Sequence, residues 1–259
     1  MNSLAKQVRE LILRASNSSG HGHIPTSFSI VEMVLAAYAV MNHDPKRPDW
    51  EERDLFVLSK AHAALGYYAC VATLGYFDPA ECNSFGAAGS RLGCHPDRFK
   101  QPWTEASCGS LGHGIGIATG MALGQKINKV DRRVMTVVGD GESNEGSVWE
   151  NIMIAVDQRL DNLTILYDNN QSQTRCLQIP NPEERFRAFG CQTFEVDGHD
   201  QSAIERALQA PTEGKPRVVV CNTVKGAPCP TLVEEVFAWH RRSPNDQEVE
   251  QLIQELQDA

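Results

Sequence analysis

The sequence has no uninterrupted apolar run of about eighteen residues, so we expect no transmembrane helix. It also lacks the pattern of a secretory signal, because charged residues interrupt the apolar positions of residues 1–16. Basic residues are not in excess, since the formal net charge is −9. This charge argues against a nucleic-acid-binding surface, which needs clustered Lys and Arg. We therefore expect neither a membrane nor a nucleic acid as a partner.

The eight cysteines include no C-x-x-C pair. That spacing is typical of zinc knuckles and of thioredoxin-type redox sites, so neither is indicated. In a chain of 259 residues without a secretory signal, the cysteines are most simply interpreted as reduced thiols. The prediction that follows is a cytoplasmic protein.

Strand and helix patterns alternate along the chain. We predict apolar strands at 55–59, 133–139, 163–168, 191–196 and 217–222. We predict helices at 27–41, 62–75, 147–159, 182–189, 201–209 and 244–259. Such alternation indicates the α/β class, with a doubly wound, mostly parallel sheet and helices on both faces. Ser29 and Glu32 have the spacing of a capping box near the start of the 27–41 helix. Residues 1–259 are interpreted as one domain with a short C-terminal helical tail.

Polar residues follow two of these predicted strands. Asp140 comes directly after one strand, and Asn170 follows the next, with one crossover helix between them. In an open α/β sheet, ligands bind beyond the carboxyl ends of the strands, so the two should lie side by side. A carboxylate, an amide oxygen and a backbone carbonyl are suitable Mg²⁺ ligands. Gly139 and Gly141 let a phosphate approach the backbone before a helix N-terminus. The sequence therefore predicts a metal–diphosphate site.

Several motifs resemble the N-terminal, diphosphate-binding part of transketolase, a thiamine diphosphate enzyme. GDGESNEGSVWEN and LDNLTILYDNN, between residues 139 and 170, are similar to the family's cofactor signature. Its histidine motifs are similar to SSGHGHIPTSFSIVE, DLFVLSKAHAALGYY and GCHPD. ASCGSLGHGIGIATGMALG resembles the segment that passes the cofactor, and VKGAPCP and AWH resemble the closing stretch. The resemblance covers roughly residues 1–240.

The resemblance implies a role for each matching residue. Asp140, Asn170 and the Ser172 carbonyl would hold Mg²⁺, or Ca²⁺ or Mn²⁺ in its place. The other residues that would contact the cofactor are Gly141, Glu142, Glu145, His62 and His240, with Glu145 also at the interface with the partner active site. Further residues would line the path to the thiazolium ring: Gly109, Ser110 and Leu111. Those expected around the donor ketose, as proton-transfer or binding groups, are His23, His62, His95, His240 and Lys225.

Other features bear on assembly and specificity. Gly112, Gly116, Gly120 and Gly124 recur every fourth residue, which favours close approach of another helix or of a ligand beside a subunit interface. Arg241 and Arg242 stand where relatives often have Gly-Lys, and Ala61 replaces a usual Gly before His62. These departures lie near the expected substrate funnel and leave the identity of the sugar open.

The chain has no counterpart of the second transketolase domain, which carries the activating glutamate and the pyrimidine pocket. We therefore expect a subunit of a split transketolase, complete rather than a fragment. Its partner would be a C-terminal subunit with the pyrimidine-binding domain, in an α2β2 heterotetramer acting on sugars or sugar phosphates. Two alternatives stay open: the α chain of a 2-oxo acid dehydrogenase, and a non-catalytic regulatory homologue.

Overall fold

A computed structural model describes residues 2–175 and 177–259. In this part of the chain, five strands form one sheet: β1 (Leu55–Leu58), β2 (Val134–Gly139), β3 (Leu163–Asn169), β4 (Gln192–Asp197) and β5 (Arg217–Asn222). The strand order is β1-β2-β3-β5-β4, and every neighbouring pair is parallel. The predicted fold class is thus confirmed, and β2 and β3 are neighbours as the strand-end prediction requires.

Ten α-helices surround this sheet within the described residues. The first five are α1 (Ser3–Ser19), α2 (Ile24–Ser29), α3 (Val31–Val40), α4 (Ala64–Thr73) and α5 (Gly114–Ile127). The others are α6 (Gly146–Asp157), α7 (Pro182–Phe189), α8 (Gln201–Gln209), α9 (Pro230–Glu234) and α10 (Asp246–Asp258). None of the described helices is both long enough and apolar enough to cross a membrane.

Alternate strand residues pack into two separate apolar cores. Phe56, Met135 and Val219 join one core with the apolar faces of α1, α3, α4 and α10. Val57, Val134 and Val218 join the other with α5 and α6. Because both faces of the sheet are covered, β1, β2, β3 and β5 are buried along nearly their whole length, whereas the edge strand β4 is only partly buried. The carboxyl ends of β2 and β3 carry buried polar side chains, among them Asp140 and Asp168, and this positions the site.

The predicted helix over 27–41 is interrupted. The chain instead forms α2 and α3, with Ile30 between them. The predicted capping box is wrong, because its two side chains have distant partners: Ser29 donates to Asp168 Oδ2 at 2.7 Å, and Glu32 accepts from Arg9. The tail helix α10 does carry a capping box, formed by Asn245 and Glu248.

Candidate active site

The carboxyl ends of β2 and β3 bring Asp140 and Asn170 together. Gly139 pairs with Asp168 at the last register position of these strands. One residue later, the Asp140 N–H donates to the Asp168 carbonyl at 3.1 Å. The Gln173 N–H approaches Asp140 Oδ2 at 3.5 Å, so the turn after Asn170 folds back over Asp140. We call Asp140, Asp168, Asn170 and Ser172 the strand-end edge.

The Asp168 carboxylate connects the side chains around this edge. It is fully buried and forms an ion pair with Lys60, whose side chain is 2% exposed. The same carboxylate accepts hydrogen bonds from Ser29, from Thr223 Oγ1 at 2.6 Å and from Asn170 Nδ2 at 2.8 Å. Because the Asn170 nitrogen is held by Asp168, its oxygen must face the other way. Asn170 Oδ1 accepts from the Ser172 N–H at 3.0 Å and has a second lone pair for a ligand.

The donor set at this edge fits a divalent cation. Asp140 is 1% exposed, and burial, followed by the nearby Asp168 carboxylate, raises its pKa to about 6. A metal ion would supply the positive charge that this buried carboxylate lacks. Within the described residues, no group of three or more His, Cys, Asp or Glu side chains could hold a metal. The predicted metal site does not need such a group, because its other two ligands are the amide oxygen of Asn170 and the backbone carbonyl of Ser172.

The turn after Asp140 leads into the N-terminus of α6. Glu145 is the N-cap residue, is exposed, and makes no side-chain capping hydrogen bond. A side chain added at Gly141 or Gly146 would meet nothing within 4 Å, so both positions face open space. An uncapped helix N-terminus beside open space suits an anion such as a diphosphate.

Glu142, in contrast, is turned inward. It is 1% exposed and accepts from Ser59 Oγ at 2.5 Å, Gly112 N at 3.0 Å and Gly139 N at 3.1 Å. Burial raises its pKa above the usual value despite these three donors. The contacts favour an internal bracing role, and a direct contact between Glu142 and a cofactor stays a prediction.

That brace fixes the loop of Gly109, Ser110 and Leu111. Gly109 and Ser110 are exposed, whereas Gly112 is buried with a φ of 75°. A Cβ at Gly112 would come within 2.8 Å of Glu145 Cβ and would overlap Ser147. Ser147 Oγ also donates to the Gly112 carbonyl at 3.0 Å. The loop therefore runs directly over the start of α6, next to the strand-end edge.

Three of the predicted histidines converge from separate parts of the chain. His23 precedes α2, His62 follows β1 in a 3-10 turn, and His240 ends another 3-10 turn. The ring centroid of His23 lies 5.6 Å from that of His62 and 5.3 Å from that of His240, both edge to face. We call His23, His62, His240 and Lys225 the histidine pocket.

The pocket histidines are neutral at physiological pH. Burial, with His240 and nearby cations, lowers the pKa of His23 to about 4. Burial and then Lys60 lower the pKa of His62 to about 2. The pKa of His240 is also lowered, by burial and then Lys225. Neutral imidazoles can both accept and donate hydrogen bonds, as sugar hydroxyls require.

Lys225 joins the histidine pocket to the strand-end edge. Its ammonium group donates to Ser172 Oγ at 2.8 Å and lies 3.3 Å from His240 Nδ1. Burial, followed by Lys60, lowers its pKa to about 8. One cation thus touches both a predicted metal-binding residue and a predicted sugar-binding residue.

His95 lies at the outer rim. It is exposed, and a Cβ placed on Gly109 would be 3.9 Å from its Cγ. It therefore stands beside the predicted cofactor path and outside the ring contacts of the other histidines. Arg241 is exposed next to His240, whereas Arg242 pairs with Glu248 and lies over the Trp239 ring.

The strand-end edge and the histidine pocket have complementary chemistry. The edge offers one carboxylate and two neutral oxygens for a cation, and the uncapped start of α6 for an anion. The pocket offers neutral imidazoles and one ammonium group for a polyhydroxy ligand. The sequence prediction placed Asp168 beside Asn170 at the strand end but gave no role to Asp168 or to Lys60. Only their positions hinted at a role: Lys60 stands two residues before the histidine of LSKAH, and Asp168 lies within LYDNN.

Comparison with known proteins agrees with this chemistry. Residues 1–257 match the family described as "Transketolase, thiamine diphosphate binding domain". An apulose-4-phosphate transketolase subunit from Actinobacillus succinogenes is 36% identical over 257 residues, covering 96% of this chain and 93% of that protein. A 6-deoxy-6-sulfo-D-fructose transketolase subunit from Clostridium sp. is 38% identical over 232 residues, covering 86% and 84%.

Full-length transketolases match over a part of their length. Mouse transketolase is 35% identical over 266 residues, which is 99% of this chain but 42% of that protein. The crystal structure of Campylobacter jejuni transketolase superposes with a TM-score of 0.85 at 24% identity, covering 99% of this chain and 43% of that one. This structural likeness concerns the fold. On the family match and the relatives above 30% identity, the chain belongs to the transketolase family, as its thiamine diphosphate-binding domain.

Proposed function

We propose that this chain is one subunit of a thiamine diphosphate- and Mg²⁺-dependent transketolase. With its partner it transfers a two-carbon ketol unit from a ketose, or ketose phosphate, to an aldose or aldose phosphate in the cytoplasm. The main support is Lys225, which touches Ser172 of the strand-end edge and His240 of the histidine pocket. A site for metal and diphosphate thus adjoins a site for sugar hydroxyls.

Most of the predicted residues have a part in this proposal. Asp140, Asn170 and the Ser172 carbonyl hold Mg²⁺, with Ca²⁺ or Mn²⁺ able to replace it. Gly141 and His62 contact the diphosphate, and the loop over α6 lines the path to the thiazolium ring. Thiamine diphosphate, when bound, supplies the carbanion chemistry.

The histidines act on the sugar. His23, His62 and His240 accept hydrogen bonds from donor hydroxyls and donate hydrogen bonds to them, and their lowered pKa values keep them neutral near pH 7. A neutral imidazole can take a proton from a hydroxyl and return it within one turnover. His95 stands at the entrance, and Lys225 stabilises negative charge beside His240.

The proposed partner is a C-terminal transketolase subunit that carries the pyrimidine-binding domain, in an α2β2 heterotetramer. Two relatives are themselves named as subunits, and the chain aligns with 42% of mouse transketolase. On α5, Gly116 packs on Asn151 of α6, whereas Gly120 and Gly124 have nothing within 4 Å of an added Cβ. Ile117, Met153 and Ile154 are between 37% and 50% exposed on α5 and α6. This apolar, glycine-lined surface suits the partner subunit.

A coupled assay tests the function. Each of the two chains is assayed alone and then in a mixture, with thiamine diphosphate, Mg²⁺, a ketose donor and an aldose acceptor. We expect ketol transfer from the mixture and none from this chain by itself. Full activity from this chain alone would refute the split-enzyme proposal. Decarboxylation of pyruvate by the mixture, without ketol transfer, would instead identify a 2-oxo acid dehydrogenase component.

A further inference from the structure

His199 contacts both Val224 and Glu32, and Val224 directly precedes Lys225 of the histidine pocket. It lies in the loop between β4 and α8, and its side chain is 25% exposed. The Val224 N–H donates to His199 Nε2 at 2.9 Å, so this nitrogen carries no proton in that arrangement. His199 Nδ1 faces Glu32 Oε2 at 3.9 Å and bears the ring proton. The imidazole thus has one defined tautomer.

Glu32 is itself held in place. Both carboxylate oxygens accept from the Arg9 guanidinium at 2.7 Å, and both side chains are at most 4% exposed. Arg9 also donates to the Phe28 carbonyl at 3.1 Å, in α2 directly after His23. Burial raises the pKa of Glu32, but His199 and Arg9 outweigh it and lower the pKa overall. A charged, immobile carboxylate therefore orients the His199 ring.

The neighbouring backbone is anchored beside Val224. The Thr223 hydroxyl donates to Asp168 at 2.6 Å. The Gly198 N–H donates to the Asn222 carbonyl at 2.8 Å, and a Cβ at Gly198 would overlap Thr223. The Val224 side chain is 53% exposed and therefore packs little against the protein. The hydrogen bond from its backbone N–H to His199 connects this residue to the β4–α8 loop. Lys225 is the next residue.

We propose that His199 is a positioning residue, whose neutral ring fixes the Thr223–Val224–Lys225 segment so that the Lys225 ammonium group faces Ser172 and His240. The chain of contacts runs from Arg9 through Glu32 and His199 to Val224. It links the helices beside His23 to the loop that carries Lys225. This inference rests on the proposed function only for its catalytic consequence.

Three variants of the full chain test it. His199→Leu removes both ring contacts. His199→Gln retains an acceptor for the Val224 N–H, because its amide oxygen can reach the position of Nε2. His43→Leu is the matched control, since it removes another half-buried histidine, whose ring is bonded to the Tyr76 hydroxyl at 2.9 Å.

Two readouts do not depend on activity. Amide hydrogen exchange at Val224 should accelerate about fivefold or more in His199→Leu, the equivalent of one net hydrogen bond. The pKa of His240, followed by NMR, should rise in His199→Leu and also in Lys225→Ala, because the Lys225 charge contributes to lowering it in the wild type. His199→Gln and His43→Leu should resemble the wild type in both measurements.

The third readout is turnover in the mixture with the partner. His199→Leu should reduce kcat, His199→Gln should restore most of it, and His199→Leu should have little further effect in a Lys225→Ala background. Unchanged Val224 exchange or an unchanged His240 pKa in His199→Leu would overturn the proposal. Additive losses in the double variant would also overturn it. If the wild-type mixture shows no ketol transfer, the proposed function fails, and the first two readouts still decide the role of His199.

Discussion

The strand-end edge and the histidine pocket are built in opposite ways. Asp168 is fully buried and has four side-chain partners, which come from α2 and from the residues that follow β1, β3 and β5. His23 and His62 instead meet through ring edges and come from loops. The strand-end edge is rigid before any ligand binds, whereas the histidine pocket has hydrogen-bonding groups that are available to a ligand. The strand-end edge would thus hold the metal and diphosphate in one geometry, and the histidine pocket would bind the polyhydroxy ligand, whose structure can vary.

If the pocket performs the proton transfers, its variants should affect turnover most. His62→Ala should lower kcat of the assembled enzyme by about 10²–10⁴-fold, the usual contribution of a positioned acid–base group. The free energy of unfolding should change little, since the His62 contacts are ring edges. The measurement is steady-state kinetics with His43→Ala as control. Near-normal turnover would remove His62 from the catalytic residues.

If the edge is the rigid region, breaking its ion pair should affect stability most. Lys60→Met leaves the buried Asp168 carboxylate without its cation and should cost about 3–5 kcal/mol in the free energy of unfolding. Lys126 and Asp161 form the matched control, a pair at 3.0 Å with both side chains about 40% exposed. Lys126→Met should cost less than about 1 kcal/mol. Equal losses in urea denaturation would contradict the contrast.

Glu142 tests whether the brace also belongs to the rigid region. Glu142→Gln replaces one acceptor oxygen by an N–H₂ group, which leaves a buried donor opposed by another donor. We expect a loss of about 1–3 kcal/mol in the free energy of unfolding, the cost of an unsatisfied buried group. Exposed Glu145→Gln is the control and should be near neutral. A stable Glu142→Gln variant would show that the 109–112 loop does not depend on this brace.

The smallest expected effect is on the pH dependence of stability. The pKa of His62 is about 2 in the folded chain, against an ordinary value of 6.5. Between these values the unfolded chain binds the proton, so stability falls as pH falls below about 6.5, by at most about 1.4 kcal/mol per pH unit for one group. Asp140, with its pKa raised to about 6, acts in the opposite sense between about 6 and 3.8.

Comparing the wild type with His62→Gln cancels the Asp140 contribution. The variant should lose less stability than the wild type as the pH is lowered from about 6.5 towards about 4.5, measured by urea denaturation without metal. If the free energies of unfolding of the wild type and His62→Gln fell equally with pH, burial would not be what keeps His62 unprotonated in the folded chain.

The same contrast explains what the sequence could predict. The adjacency of Asp140 and Asn170 follows from two parallel strands and their order, which apolar patterns reveal. The partners of Ser29 and Glu32 could not be predicted in this way. Asp168 is 139 positions from Ser29, and the local spacing of Ser29 and Glu32 instead favours a capping box. The histidine pocket is assembled by loops, so motifs identify its residues, but its ring geometry required the structure.

The central claim is that the strand-end edge binds the cofactor diphosphate through a metal held by Asp140. Calorimetry of thiamine diphosphate binding to the assembled enzyme, with and without Mg²⁺, tests it in the wild type and in Asp140→Ala. We expect Mg²⁺-dependent binding in the wild type and its loss in a variant that remains folded and assembled. Unchanged, Mg²⁺-dependent affinity in folded Asp140→Ala would contradict the claim.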